Sequence, residues 1–476
     1  MLKAERLIKP PMGQNSLVSL SSQPISPLDG RYASAVSELS LLLSEAGLNR
    51  ARVQVEIEWL LLLANSEIFG RDRYVTEEQS KALRKAFEDF SDEDVAALAS
   101  IEATTRHDVK AVEYFVRDKL TKLDREDLHE LTHFAATSED INNLSYALTI
   151  KEAVTTVWLP KAKAVVQELS QLAKSSAGVA MLSRTHGQPA TPTTMGKEMA
   201  VFVHRLQRQI ARIEKTSYLG KFSGATGTYS AHMVAVPNFD WQAFSKKFVE
   251  SLGLEFNPLT TQIESHDWQA ELYQGVSHFN RILHNLATDI WSYISIGYFT
   301  QIPVKGATGS STMPHKINPI RFENAEANLE LSNAVLDSLA QTLVTSRLQR
   351  DLSDSSSQRN VGVGFGHSLV ALDNIHKGLG EIKVADAAIA ADLADNWEVL
   401  AEAIQTVIRA DVANGKSEIT NPYELLKDLS RGKRLTREEL ADFVLKLDIS
   451  QASKDRLLAL SPKDYTGLAK KLAESI

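Results

Sequence analysis

Apolar residues recur at helical spacing along most of this chain. Between Leu329 and Arg350, Leu336, Leu339 and Leu343 fall on one face and Val335 stands four before Leu339, which predicts a helix. From Thr194 to Lys215, Met199, Phe202, Val203, Leu206 and Ile210 form a second stripe of the same period. One stretch dissents: Val53, Val55, Ile57 and Trp59 alternate with polar residues, as in a half-buried strand. Leu60 to Ala64 prolong it without a turn signal, so it too is read as helix. Prolines are absent from Pro27 to Pro160 and from Pro319 to Pro422. Strand-and-turn proteins rarely run so far without one, and the Ala, Leu, Glu, Lys and Gln that fill these intervals favour helices. The pattern predicts an all-α chain.

Proline and glycine cluster instead at Ser26 to Gly30, Gly187 to Pro192, Gly220 to Gly227 and Gly306 to Pro319. Functional groups concentrate on loops held by a rigid scaffold, so these are the places to look for chemistry. Near Gly378 and Gly380 the composition turns more charged, which we read as the last domain boundary.

Composition narrows the classes. The 476 residues carry 52 Lys+Arg against 60 Asp+Glu, a formal charge of −8, and no cysteine. Disulfides, thiolate metal sites and cysteine catalysis are excluded. The acidic balance argues against a non-specific nucleic-acid or membrane partner, which would favour a basic face. No apolar run approaches the roughly 18 residues of a membrane span, and residues 1–22 read as a loose extension without a signal-peptide pattern. A cytoplasmic protein is expected.

Five local patterns carry candidate chemistry. His129 to His133 spells HELTH, which on a helix would set two imidazoles on one face for zinc; nothing in the sequence nominates a third ligand. Gly362, Gly364 and Gly366 resemble a dinucleotide loop but lack the preceding apolar strand, so close helix packing is the better reading. Thr137-Ser138-Glu139-Asp140 reads as a helix N-cap with a capping-box carboxylate, and equally as an anion cradle. Ser183 to Ala190 (SRTHGQPA) is a polar, loop-forming stretch whose His186 suits acid–base work. Gly309 to Pro319 (GSSTMPHKINP) combines a flexible entry, paired hydroxyls, a cation and two prolines. Its functional reading is a mobile lid carrying a hydroxyl base, with Lys316 beside it to stabilise negative charge.

At this last segment a resemblance becomes specific. GSSTMPHKINP is similar to the signature loop of the fumarase/aspartase superfamily, whose members eliminate fumarate from substituted succinates. SPLDGRY (26–32), RHDVKAVEYF (106–115), HFAATSEDINNLS (133–145), SRTHGQPATPTTMGKE (183–198), TTQIESHD (260–267), SRLQRDLSDSSSQRN (346–360) and NPYELLKDLSRGKR (421–434) resemble one family within it, the adenylosuccinate lyases, in their longer bacterial form. The resemblance runs in order from about residue 22 to the C-terminus. It implies three helical domains (1–126, 127–380 with the loop 306–319, and 381–476), the middle one a long bundle forming a homotetramer core. Each site would combine residues from three subunits.

The resemblance also implies roles. Ser310 would be the general base and His186 the general acid. Lys316 and Asn318 would hold the succinyl carboxylate, with Thr137 and Ser138 at its anionic end. Arg106, His107 and Asp108 of the RHD motif and Gln262 would line the substrate. Arg31 and Tyr32, together with Arg350, Ser355 and Arg359, would anchor a phosphate, for which guanidinium forks are suited. Ser353 and Asp354 read as a helix cap in that group. No metal and no cofactor are implied; His133 matches a family position, which makes HELTH a coincidence. The ligand is a small-molecule nucleotide, so the site is expected to be locally positive despite the acidic chain. The SGATGTYSAH loop (223–232) resembles a family loop without an assigned contact.

Overall fold

A computed structural model describes residues 24–304, 306, 312–430, 432 and 434–476. Most of these residues are helical, and the sheets are three small two-stranded pieces. The dissenting stretch lies in the Glu45–Ala64 helix, and its alternation has a physical cause. Val53, Ile57, Leu60, Leu61 and Ala64 enter one hydrophobic cluster, while Val55, Trp59 and Leu63 enter the main core. Residues two apart on a helix point to nearly opposite sides, so a helix buried on both faces mimics a strand's alternation.

Residues Ser138–Ser175 form one continuous helical path: α-helix to Glu152, π-helical turns from Ala153 to Trp158, then α-helix again from Leu159. Pro160 lacks an N–H and crowds the carbonyl four residues back, and wider turns stand just before it. Thr155 and Thr156 hydroxyls donate to the carbonyls of Lys151 and Glu152, each at 2.7 Å. At 1.5 Å per residue the path is roughly 55 Å long.

This path packs with the helices Met195–Ile213, Asp267–Ser295, Ile320–Leu343 and Val361–Gly380 into a long bundle. Small residues set the closest approach, as the Gly362–Gly366 reading expects. A Cβ on Gly364 would stand 2.8 Å from Leu336 Cδ2, and one on Gly378 would stand 2.9 Å from the Phe322 ring. A buried polar chain fixes the register of four helices. Trp158 Nε1 donates to Ser368 Oγ (2.9 Å), Ser368 Oγ to Asn280 Oδ1 (2.9 Å), Asn280 Nδ2 to Ser332 Oγ (3.0 Å), and Ser332 Oγ to the Gly364 carbonyl (2.7 Å). Such a network is tolerated in a core because every member is satisfied, and any slip of one helix would break it.

The polar stretch 183–190 is not a loop: Ala180–Thr185 and Gln188–Thr194 pair as an antiparallel hairpin. His186 and Gly187 take φ of 52° and 74° at its two-residue turn, the left-handed pair that matches strand twist. Phe299–Gln301 pairs antiparallel with Ile382–Val384, and Leu219–Gly220 pairs parallel with Glu255–Phe256. A separate hydrophobic cluster gathers Leu400, Ile404, Ile408, Leu440 and Val444 near the C-terminus. No described helix is long and apolar enough to cross a membrane.

Candidate active site

The residues expected in the site fall mainly at the two ends of the bundle. The Asp267–Ser295 helix starts just after Gln262 and finishes just before the Phe299 strand. The Ile320–Leu343 helix starts after Asn318 and returns toward Arg350. These helices place Gln262, Arg350, Ser355 and Arg359 at one end and Lys316 and Asn318 at the other, separated by roughly 35–45 Å of helix. The Ser138–Ser175 path divides Thr137 and Ser138 from His186 in the same way.

At the first end Thr137 caps its helix through the expected box, its N–H donating to Asp140 Oδ2 at 2.9 Å. Asp140 is fully buried and also accepts from the N–H groups of Ser223 (2.8 Å) and Gly224 (3.0 Å), and from Lys221 Nζ (2.8 Å). The unassigned 223–232 loop therefore has a role: Asp140 ties it to the helix start that carries Thr137 and Ser138. Ala225 O accepts from Gln262 Nε2 at 2.8 Å, which fixes the side-chain amide. Gln262 Oε1 then accepts from Arg350 Nη1 at 3.1 Å.

Arg350 Nη2 donates to Glu139 Oε1 (3.0 Å) and Ser355 Oγ (3.3 Å). Arg359 is paired with Glu45 and, at 3.1 Å, with Asp108. Asp108 also holds Arg52 Nη2 at 2.9 Å, and Arg52 Nε donates to Asn142 Oδ1 at 2.9 Å. Asn142 Nδ2 closes the series on Glu139 at 2.8 Å. Burial resists ionisation of Asp108 most strongly, but Arg52, the Val109 N–H, Arg359 and His107 together hold its carboxyl below the usual range. Glu45 above all raises Arg359 and keeps it charged.

His107 caps the Asp108–Thr121 helix, its Nδ1 accepting from Lys110 N at 3.2 Å, which leaves Nε2 turned outward. Arg106 is exposed and left-handed (φ 53°) at the end of the preceding helix, a joint between two helices. The Ser353–Gln358 helix is not capped by Ser353 and Asp354. Both lie in its first turn, and the Asp351 carboxylate accepts from Ser353 N at 2.8 Å. Asp354 instead faces the buried His266, whose Nε2 stands 3.5 Å from Oδ2. Gln358 Nε2 donates to His266 Nδ1 at 3.1 Å, which leaves the imidazole N–H on Nε2, the nitrogen on the Asp354 side.

At this end of the chain Arg52, Arg350 and Arg359 are matched by Glu45, Asp108 and Glu139, three against three. Sequence reasoning found Arg350, Arg359 and Asp108 but not their pairing, and it missed Arg52 and Glu45. Glu139 was legible only as a cap neighbour, and Arg52, 2 % exposed among the other polar residues of its helix, gave no signal.

At the second end His186 is exposed on the hairpin turn. The hairpin is held by Arg184, which meets Asp392 at 2.6 Å, and by Thr191, which donates to Glu402 at 2.5 Å. Tyr298 also donates to Asp392, at 2.5 Å, which brings the hairpin and the strand before the signature loop to one anchor. Lys316 is exposed and Asn318 half-buried. Ser310 lies outside the described residues. Tyr32 Oη accepts from Asn324 Nδ2 at 3.0 Å on the flank of the bundle, with Arg31 exposed beside it.

HELTH does not form a one-face pair of histidines. His129 sits in a 3₁₀ turn against Thr121 and the Arg117 carbonyl, both at 3.1 Å. His133, left-handed at φ 58°, bonds Glu56 at 2.6 Å. Among the described residues no three or more His, Asp or Glu side chains gather as metal ligands.

Comparison with known proteins matches this geometry to a family. Residues 30–334 match the lyase family and residues 346–466 the adenylosuccinate lyase C-terminal family. Adenylosuccinate lyase of Haemophilus influenzae is 46% identical over 453 residues, covering 95% of this chain and 98% of that one. The Escherichia coli K12 enzyme of that name is 47% identical over 448 residues, covering 94% and 96%. A fumarate lyase from Mesorhizobium sp. BNC1 shares the fold with a TM-score of 0.72 at 19% identity, over 92% of this chain and 97% of that one. A 3-carboxy-cis,cis-muconate lactonizing enzyme from Pseudomonas putida shares it at 0.70 and 19%, over 92% and 96%. Identity at this level over nearly the whole length, on the fold that the helical bundle displays, means that the chain belongs to the adenylosuccinate lyase family.

Proposed function

We propose that this protein cleaves adenylosuccinate to AMP and fumarate, and the succinylaminoimidazole-carboxamide ribotide to fumarate and aminoimidazole-carboxamide ribotide, in purine nucleotide synthesis. The observation that carries the reading is the near-full-length identity to adenylosuccinate lyases. The chemistry is a β-elimination. A proton leaves a carbon beside a carboxylate, and the carbanion is accessible only if its charge spreads into that carboxylate, so cations and donors aimed there lower the barrier. Ser310 takes this proton. His186 protonates the leaving nitrogen, without which an anionic amine would have to depart. Lys316 and Asn318 hold the succinyl carboxylate, with Thr137 and Ser138 at a helix start that favours anions. Arg31, Tyr32, Arg350, Ser355 and Arg359 receive the phosphate, and His107 and Gln262 align the substrate between, with Arg106 and Asp108 beside them.

A single copy cannot bring these groups to one nucleotide, because helices of about 35–55 Å separate them. We therefore infer a homotetramer whose sites each draw on several subunits. The chain's acidic charge and lack of cysteine suit the cytoplasm. The test is direct: incubate the purified protein with adenylosuccinate and follow its ultraviolet spectrum. Conversion to AMP is expected, and complete inertness toward it, with turnover of argininosuccinate or aspartate instead, overturns the reading.

A further inference from the structure

The proposed phosphate end is electrically full before any ligand arrives. Three guanidiniums and three carboxylates alternate along one hydrogen-bonded series from Gln262 to Glu45. A phosphate brings about −1.5 to −2 further charge, and both terminal nitrogens of Arg359 already donate to carboxylates, Nη1 to Glu45 and Nη2 to Asp108. For Arg359 to turn them to a phosphate a carboxylate has to give way, and the three carboxylates of the series differ in their freedom to do so. The Glu139 side chain is 4% exposed and bonded to both Arg350 and Asn142. Asp108 accepts from Arg52, Arg359 and the Val109 N–H at the start of its own helix. Glu45 is 51% exposed, in the first turn of a helix capped independently by Ser44, and its close partner is Arg359.

We propose that Glu45 is an internal competitor for the phosphate. It occupies Arg359 in the empty site and is displaced when the nucleotide's phosphate binds. This inference rests on the phosphate role of Arg359 proposed above. Arg52 gives the displaced carboxylate a resting partner, since its Nη1 already stands 3.8 Å from Glu45 Oε1. Glu45 would then set how strongly the site discriminates phosphorylated from unphosphorylated ligands, while touching no reacting atom.

The test is calorimetric titration of the assembled enzyme with AMP and with adenosine, in the native protein and in E45Q, E45A and R359Q. Removing the competitor should tighten AMP roughly two- to five-fold, the range an exposed ion pair supplies, and leave adenosine unchanged. A gain in affinity is a result that local damage to the helix would not produce. If E45Q and E45A leave AMP unchanged or weaker while R359Q weakens it, Glu45 is not a competitor and the phosphate reading stands. If AMP and adenosine tighten together, the effect is not on the phosphate and the inference fails. If R359Q leaves AMP unaffected, the phosphate reading fails and takes the inference with it.

Discussion

The two ends of the bundle solve opposite problems. At the Arg350 end the side chains assigned to the substrate are already bonded to one another: Gln262 to Arg350, Arg350 to Glu139 and Ser355, Arg359 to Asp108. At the hairpin end His186 and Lys316 stand exposed, and what is rigid is the scaffold beneath them, anchored through Asp392 and Glu402. Binding groups held in place in advance avoid the ordering cost that flexible ones incur on association. A group that moves a proton must instead meet the reacting atom, and in the homotetramer proposed above that meeting requires another copy of the chain. On that proposal the difference between the ends is one between recognition prepared within a subunit and chemistry completed between subunits.

The sharpest way to break this comparison is to disable each end separately and then mix. H186A should lower turnover by roughly 10²- to 10⁴-fold, the usual worth of a positioned general acid, with substrate affinity less affected. R350Q keeps a polar partner for Glu139 and should mainly raise KM. When the two variants are unfolded together and reassembled, activity should recover well above either alone, because hybrid sites can pair a native His186 from one subunit with a native Arg350 from another. Recovery absent from hybrids that do form would mean that both ends serve one site within one copy.

A smaller effect separates the ends by backbone alone. Gly187 in the hairpin turn and Gly227 beside Gln262 have nearly the same φ, 74° and 76°. A Cβ on Gly187 meets nothing within 4 Å, whereas on Gly227 it would stand 2.2 Å from the Thr260 carbonyl oxygen. G187A should cost only the left-handed strain of an L-residue, about 1–2 kcal/mol. G227A adds a backbone clash worth about 1–3 kcal/mol more, and it pushes the loop whose Ala225 carbonyl holds Gln262. Thermal denaturation should rank G227A below G187A, and only G227A should raise KM through the Gln262–Arg350 contact. Equal losses from both would mean that the 223–227 loop is as loosely seated as the hairpin turn.

How much of this was legible in the sequence follows the range of the interactions. The long helices were legible because their burial is one-sided and periodic, as in the Leu336, Leu339, Leu343 stripe. The Glu45–Ala64 helix blurred because both its faces are buried. The hairpin was missed since Ser183 to Ala190 lacks apolar alternation; its strands are held by Asp392 and Glu402, more than 200 residues away in sequence. Arg350, Arg359 and Asp108 stood out within motifs. Their pairing with one another and with Arg52, Glu45 and Glu139 did not, because charge pairing across helices leaves no trace in local order.

The paired charges at the Arg350 end make a last, smaller prediction. Asp108 ionises more readily in the folded chain than in the unfolded one, where its pKa is near 3.9. The stability from its pairing is thus fully present above about pH 3.9 and is lost as pH falls through the depressed folded value. D108N cannot titrate and lacks this contribution at every pH. The stability gap between native protein and D108N, read from urea unfolding, should be constant from pH 7 to about 5. It should then narrow by about 1 kcal/mol below pH 4, the scale of a pair that is partly solvent-exposed. A gap that widened in acid would mean that Asp108 is held protonated, and the three-against-three balance at this end would have to be redrawn.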